Sequence, residues 1–269
     1  MLIDTHCHLN FDEFENDREE IIGRCLANDV WMINVGADLE TSEKAIEIAE
    51  KYEKGVYASI ALHPHNVGPA TTSERVRDLA ELAKSHKVVA IGECGLDYAF
   101  CENDEKIQEL QQEVFIQHLE LAKEVNKPVV FHCRRLYPEM LKLISNFNTA
   151  NFQLTGVLHC YMGRWSYAEE YLKLGFYIGF TGLITYARDY DKVIKNCPLD
   201  RILIETDAPY LPPHQIFGGG GLTPEERRKI RNTPDNVKYV AEKIAEIKEI
   251  SFEEVASQTT QNAKELFRI

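Results

Sequence analysis

Eight short runs rich in β-branched and apolar residues punctuate this sequence, and nearly every gap between them carries the spacing of an amphipathic helix. The runs are Leu2 to His8, Val30 to Gly36, Val56 to Leu62, Val88 to Glu93, Pro128 to His132, Leu154 to His159, Phe176 to Thr181 and Ile202 to Asp207. Apolar runs this short, bounded by polar stretches, read as buried strands. The clearest helix is Asp104 to Val125, where Ile107, Leu110, Val114, His118, Leu121 and Val125 recur at steps of three or four and form one stripe. Lys127-Pro128 is expected to end it, because the residue before a proline avoids helical geometry. Similar spacing runs through Glu40 to Tyr52, Ser73 to Lys84, Arg164 to Leu174 and Asp235 to Glu249. Ser251 to Phe267 reads as a closing helix, with Ser251 as N-cap and Glu254 as its capping-box partner. Eight strand-helix units in 269 residues predict an α/β protein, a single (β/α)8 TIM barrel spanning residues 1–269. A doubly wound open sheet is the alternative, but the glycine-rich first turn it normally shows does not follow the first run.

With 44% hydrophobic residues the chain can fill such a barrel without covalent staples. Met1 leads directly into the first strand with no basic leader or long apolar run, so a soluble, cytoplasmic protein is expected. The seven cysteines are odd in number and include no Cys-x-x-Cys pair, which argues against a disulfide framework and a zinc ribbon. A net charge of -13, spread along the chain, argues against general electrostatic adhesion to nucleic acid or membrane. It does not exclude a phosphodiester substrate, because bound cations would add local positive charge.

Metal-competent side chains recur where the strand runs end. His6 and His8 stand two apart on the first run, and a strand's period of two aims both at one face. Glu93 ends the fourth run, His132 the fifth, His159 the sixth and Asp207 the eighth. In a barrel these C-terminal ends meet at one mouth, where active sites of this fold lie. Borderline divalent metals accept imidazole and carboxylate together, and four histidines with two carboxylates suffice for two ions if one carboxylate bridges. Such ions lower the pKa of an attacking water, so a metal-dependent hydrolase is the expected function.

Several segments carry a resemblance to a known family: Asp4-Thr5-His6-Cys7-His8, Gly92-Glu93-Cys94-Gly95-Leu96-Asp97-Tyr98, and Ile204-Glu205-Thr206-Asp207-Ala208-Pro209-Tyr210-Leu211. Together with Ala61-Leu62-His63-Pro64-His65, His159-Cys160-Tyr161, Arg231-Asn232-Thr233-Pro234 and Thr260-Gln261-Asn262-Ala263, they make the chain resemble the TatD-type deoxyribonucleases from end to end. The resemblance implies a barrel with two divalent cations (magnesium, manganese or zinc) that cuts DNA phosphodiester bonds, commonly as an exonuclease, with no membrane or protein partner predicted. It assigns one metal to His6, His8 and Asp207 and the other to His132 and His159, with Glu93 bridging. Asp207 is then the candidate general base, and His63 touches substrate phosphate or the nucleophile. Glu205 shares a strand face with Asp207 and either supports the site or is an inward structural carboxylate.

The sequence departs from the family pattern after the fifth-strand histidine, in His132-Cys133-Arg134-Arg135-Leu136. Arg134 can clamp a phosphate, whereas Arg135 and the bulky Leu136 put the shape of the substrate pocket in question. Cys7, Cys133 and Cys160 each follow a proposed ligand and are expected to turn away from the pore. Gly218 to Gly221 lacks a P-loop ending and reads as a lid or a plain connector. Arg227, Arg228, Lys229 and Arg231 are either a solvated helix turn or a contact to DNA backbone, ahead of a helix with Thr233 as N-cap and Pro234 at its first position. The rival chemistries are D-aminoacyl-tRNA deacylation and hydrolysis of another ester, amide or phosphotriester. Many such barrels bridge their metals with a carbamylated lysine on the fourth strand, where this chain has only Lys87, at the strand's beginning. A scaffold that has lost catalysis is the remaining reading, and the presence of all six ligands gives it no support.

Overall fold

A computed structural model of the chain describes residues 1–69, 71, 73–149, 152–218 and 222–269. The eight expected strands all form: β1 (Leu2–Cys7), β2 (Val30–Val35), β3 (Val56–Ile60), β4 (Val88–Asp97), β5 (Val129–Arg134), β6 (Gly156–Leu158), β7 (Tyr177–Phe180) and β8 (Ile202–Ile204). They pair in parallel, each with its sequence neighbour. Between and after them run α1 (Arg18–Ala27), α2 (Leu39–Glu50), α3 (Ser73–Leu82), α4 (Glu105–Val125), α5 (Tyr137–Phe147), α6 (Trp165–Lys173), α7 (Asp191–Asn196), α8 (Pro224–Arg228), α9 (Val237–Lys248) and α10 (Phe252–Phe267). The sheet closes through a parallel bridge between Cys7 and Ala208, so the fold is the (β/α)8 barrel.

Both faces of the strands are apolar, as a parallel sheet between helices requires. Leu2, Val129, Phe131, Leu158, Ile178, Ile202 and Ile204 pack outward with the helices, while the alternate positions Ile3, Val130, Val157, Tyr177 and Leu203 form a separate buried cluster inside. Leu266 and Phe267 of α10 join that inner cluster. The same alternation sets the mouth. His132, His159 and Glu205 stand two residues beyond Val130, Val157 and Leu203, so each continues an inward-facing row, whereas Asp207 lies past the end of β8 at φ +58° and reaches the centre from the loop.

His6 and Glu93 reach the same place by a different route. Three steps along β1 from Asp4 to Cys7 oppose two along β2, and two steps from Gly92 to Cys94 oppose one along β5. Each strand therefore carries an extra residue in the segment holding its ligand, and such bulges re-aim a side chain at a barrel rim. Gly92 accommodates one of them: at φ +142° any Cβ would lie 2.4 Å from the Val130 carbonyl oxygen.

Motif residues that do not converge on the mouth hold the barrel shut. Asp4 accepts from the Thr206 amide at 2.8 Å and its hydroxyl at 2.5 Å, joining β1 to the end of β8. Asn232 donates to the carbonyls of Thr206 (3.0 Å) and Tyr210 (2.9 Å), and Asn262 to those of Leu199 and Ile202, both at 2.8 Å.

Three local expectations need correction. Helix α4 stops at Asn126, which takes the left-handed conformation (φ +53°) ahead of Lys127-Pro128, so an αL residue terminates it. Thr233-Pro234 opens a 3-10 turn before α9, without a side-chain cap. Ser251 caps α10 by accepting from the Glu254 amide at 3.1 Å, but no reciprocal Glu254 bond is present. Gly219, Gly220 and Gly221 of the proposed lid lie outside the described residues. Among the described residues no helix is long and apolar enough to cross a membrane.

Candidate metal centre

Five of the six residues singled out at strand ends, His8, Glu93, His132, His159 and Asp207, line a cavity of about 440 Å³ in the barrel mouth, and His6 is buried directly against them. His6 Nε2 lies 3.2 Å from His8 Nε2, 3.2 Å from Glu93 Oε2 and 3.7 Å from Asp207 Oδ1. Asp207 Oδ1 is also 3.5 Å from His8 Nε2 and 3.7 Å from His159 Nε2. The second oxygen of Glu93, Oε1, contacts His132 Nδ1 and stands 3.7 Å from His159 Nε2 and 3.5 Å from His63 Nε2. The two carboxylate oxygens of Glu93 thus face different histidines, as a bridging ligand's would.

The outer nitrogens of these rings show which edge faces the centre. His8 Nδ1 donates to the Val35 carbonyl at 2.8 Å, leaving its Nε2 lone pair directed inward. Glu205 Oε1 lies 3.0 Å from His159 Nδ1, and Asp97 Oδ2 lies 3.3 Å from His132 Nε2. The Asp97–His132 contact is a carboxylate-histidine hydrogen bond of the kind that orients metal-binding imidazoles, whereas Glu205 Oε1 accepts the Cys160 amide and meets His159 Nδ1 outside hydrogen-bond geometry. The structure therefore places Glu205 beside His159, and places beside His132 the carboxylate of Asp97, which sequence reasoning had quoted in a motif without giving it a role. Its signal was present: Asp97 lies four residues beyond Glu93 on the same strand.

A divalent cation fits this donor set. Imidazole nitrogens approach one another here at 3.2 Å, and the His6 and His159 rings stack at 3.5 Å. Four buried or nearly buried histidines around two carboxylates satisfy one another poorly and a cation well. Burial alone would raise the Glu93 carboxyl, but His63, His159, His132 and His6 hold it well below the usual range. Burial would likewise lower His132 and His159, yet the carboxylates beside them push these up to about 9 and about 10. His63, dominated by burial, falls to about 4.

These shifts give a pH dependence for protein kept free of metal by a chelator. A histidine raised in the folded state contributes stability below its unfolded pKa of about 6.5, and that contribution is lost as pH rises through the folded value. His132 and His159 therefore lose theirs between about pH 6.5 and 10. For a histidine lowered to about 4 the sign reverses: stability is lost as pH falls from 6.5 toward 4. His63 and His118, both at about 4, act in this sense. The four histidines together predict a melting temperature that is highest near pH 6.5 and falls on both sides. A thermal-shift series with chelator checks this, and a monotonic rise from pH 6.5 to 9 would contradict it.

The remaining expectations divide. His63 lines the cavity, its Nδ1 accepting from the His65 amide at 3.1 Å. Arg134 also lines it, half exposed, with Nη1 3.7 Å from Asp97 Oδ2. Leu136 packs against the core at the start of α5, and neither it nor Arg135 lines the cavity, so the departure after His132 leaves the pocket open. Cys7 turns outward as expected, and Cys133 also packs in the helix-facing core although it borders the cavity, but Cys160 lines the cavity. For Cys160 the reason is that β6 ends at Leu158 and Cys160 itself adopts φ +43°, so strand alternation no longer applies. Arg231 binds Asp17 and the Glu13 carbonyl, Arg227 lies over the Tyr186 ring, and Lys229 pairs with Glu225; none of the basic run lines the cavity. Lys87 bonds the Glu53 carbonyl at the far end of β4, away from the site. His118 is more than packing. It donates to the Val114 carbonyl at 2.7 Å and accepts the Leu62 amide at 3.0 Å, fixing the backbone just before His63.

The chain is similar to known proteins along its whole length. The family described as TatD related DNase matches residues 3–268. An uncharacterized metal-dependent hydrolase of Bacillus subtilis (strain 168), YabD, is 42% identical over 272 residues, covering all of both chains. The 3'-5' ssDNA/RNA exonuclease TatD of Cronobacter sakazakii is 34% identical over 271 residues, covering 99% of this chain and 97% of that one. The crystal structure of YJJV, a TatD homolog from Escherichia coli K12, superposes with a TM-score of 0.86 at 29% identity, covering 100% of this chain and 98% of that one.

Proposed function

Because the chain belongs to the TatD-related DNase family of metal-dependent hydrolases, we propose that it is a two-metal phosphodiesterase that cuts DNA from single-stranded ends. The observation that carries the proposal is the division of Glu93, whose Oε2 meets His6 while Oε1 meets His132 and faces His159. In this reading His6, His8 and Asp207 would hold one divalent cation and His132 and His159 the other, with Glu93 as the ligand that would be shared. Bound there, the cations neutralise charge on the phosphoryl oxygens and lower the pKa of water at neutral pH.

The chain's own groups do the rest. Asp207 presents Oδ1 to His6, His8 and His159 at 3.5 to 3.7 Å and accepts the proton of the attacking water. Its other interactions fix it in place: its amide donates to the His6 carbonyl at 2.8 Å, and its backbone sits at φ +58°. His63 is neutral, and because its Nδ1 accepts the His65 amide, its hydrogen is on Nε2, which faces the cluster. That N–H donates to a phosphoryl oxygen. Arg134, at the rim, holds the phosphate of the next nucleotide. The Cronobacter relative, named as an ssDNA/RNA exonuclease, supports nucleic acid over other esters.

End-labelled single- and double-stranded DNA and single-stranded RNA, incubated with metal-stripped protein resupplied with magnesium, manganese or zinc, test the proposal. Metal-dependent release of mononucleotides from single-stranded DNA is expected; protein that binds ions yet cuts none of these contradicts it. Glu205→Gln removes the anion behind His159 while keeping its shape, and metal affinity is expected to fall about 10- to 100-fold, read by chelator competition. An unchanged affinity would make Glu205 a structural carboxylate only.

A further inference from the structure

Among the described residues five large apolar side chains stand exposed: Met1, Leu39, Phe100, Met162 and Tyr210. Four of them follow the C-terminal ends of β2, β4, β6 and β8 and therefore ring the mouth. Two are aromatic and much the most exposed for their size, Phe100 at 66% and Tyr210 at 47%. Each rests against a histidine of the mouth: Phe100 on His65, with ring centroids 3.7 Å apart, and Tyr210 on His8, at 6.3 Å in an edge arrangement. Phe100 follows β4 and Tyr210 follows β8, four strands apart in a closed ring of eight. Strand order therefore sets the two residues across the mouth from each other: Tyr210 lines the cavity that holds Glu93 and Asp207, and Phe100 stands at its margin on His65, which also lines it.

A phosphodiester seated on the cluster carries a substituent toward each side. In nucleic acid those substituents bear flat, apolar faces, and exposed aromatic rings bind unpaired bases by stacking on them. Stacking also requires the strand to be unpaired, since a duplex hides its base faces. We propose that Phe100 and Tyr210 are base-stacking platforms that receive the nucleobases on either side of the scissile phosphate, making single-stranded nucleic acid the preferred substrate. This rests on the phosphodiesterase reading above. Neither ring depends on sequence-specific hydrogen bonds, so the platforms select unpaired bases without selecting their identity.

The test uses the full chain, loaded with manganese, and an octathymidylate whose bases flanking the terminal linkage are intact, replaced by abasic tetrahydrofuran, or replaced by 2-aminopurine. Cleavage is measured with wild type, Phe100→Ala, Tyr210→Ala and Tyr210→Phe; binding and 2-aminopurine quenching are measured in the Asp207→Asn background so that the strand survives. Each alanine variant is expected to bind and cut the intact strand about 10-fold less well, with quenching reduced, while Tyr210→Phe stays near wild type. On the abasic strand the alanine variants and wild type are expected to converge. Cleavage insensitive to both the alanine changes and base removal overturns the stacking proposal and leaves the phosphodiesterase reading intact. Quenching that depends on both rings, without any cleavage by wild type, supports the platforms and overturns the phosphodiesterase reading instead. No binding and no cleavage of any strand overturns both.

Discussion

Asp207→Asn is expected to lower single-turnover cleavage of single-stranded DNA by about 10³-fold, within the 10²–10⁴ range of a lost general base, with KM changed only a few-fold. The substitution keeps the side chain's volume and the backbone that fixes it: the Asp207 amide still donates to His6 and its carbonyl still accepts from Tyr210 at 2.8 Å. It removes the negative charge that His8, His159 and His6 hold below the ordinary carboxylate range against the effect of burial. An asparagine oxygen still fits between the three imidazoles but takes up no proton at neutral pH. A loss below about 10-fold at saturating metal would show that another group takes up the water's proton.

Glu93→Ala is expected to abolish activity and to strip metal as well. Glu93 is the one carboxylate whose two oxygens address both histidine sets, so its removal weakens both proposed ions at once. Partners behind a ligand are worth about 10- to 100-fold in affinity, and loss of the bridge itself is expected to exceed that. The measurement is metal content after dialysis, expected to fall from two ions per chain to one or none. Retention of two ions by Glu93→Ala would remove Glu93 from the bridging role and leave its buried contacts as structural.

Much of this site was legible because period-two alternation survives wherever a strand is regular. His132 and His159 continue rows begun by Val130 and Val157, and a reader of the sequence needs only the strand boundaries to aim them; Asp207, past the end of β8 at φ +58°, is aimed by its loop instead. His6 and Glu93 were found by residue type and position, but the reason they point inward was not legible: an extra residue in β1 and another in β4 re-aim them, and nothing in the apolar pattern announces a bulge. Cys160 shows the same limit from the other side. It was assigned by alternation to the helix-facing side, yet β6 had ended two residues earlier.

Partners distant in sequence were the other gap. Arg231 read as one of a basic run available to a ligand, whereas it is held by Asp17, 214 residues away. Asp97 read as part of a motif, whereas it contacts His65 at 2.7 Å and His132 at 3.3 Å. Side chains such as Asp4, Asn232 and Asn262 read as markers of family resemblance and turn out to close the barrel around β8. Motif residues divide into those that hold the centre and those that hold the strands, and only contacts separate the two.

The central claim is that six side chains hold two cations with Glu93 between them. Anomalous diffraction from crystals soaked in manganese tests it most directly. The account predicts two peaks at the barrel mouth, one against His6, His8 and Asp207 and one against His132 and His159, each in contact with a different oxygen of Glu93. A single peak, or a pair that leaves Glu93 in contact with only one ion, would contradict it.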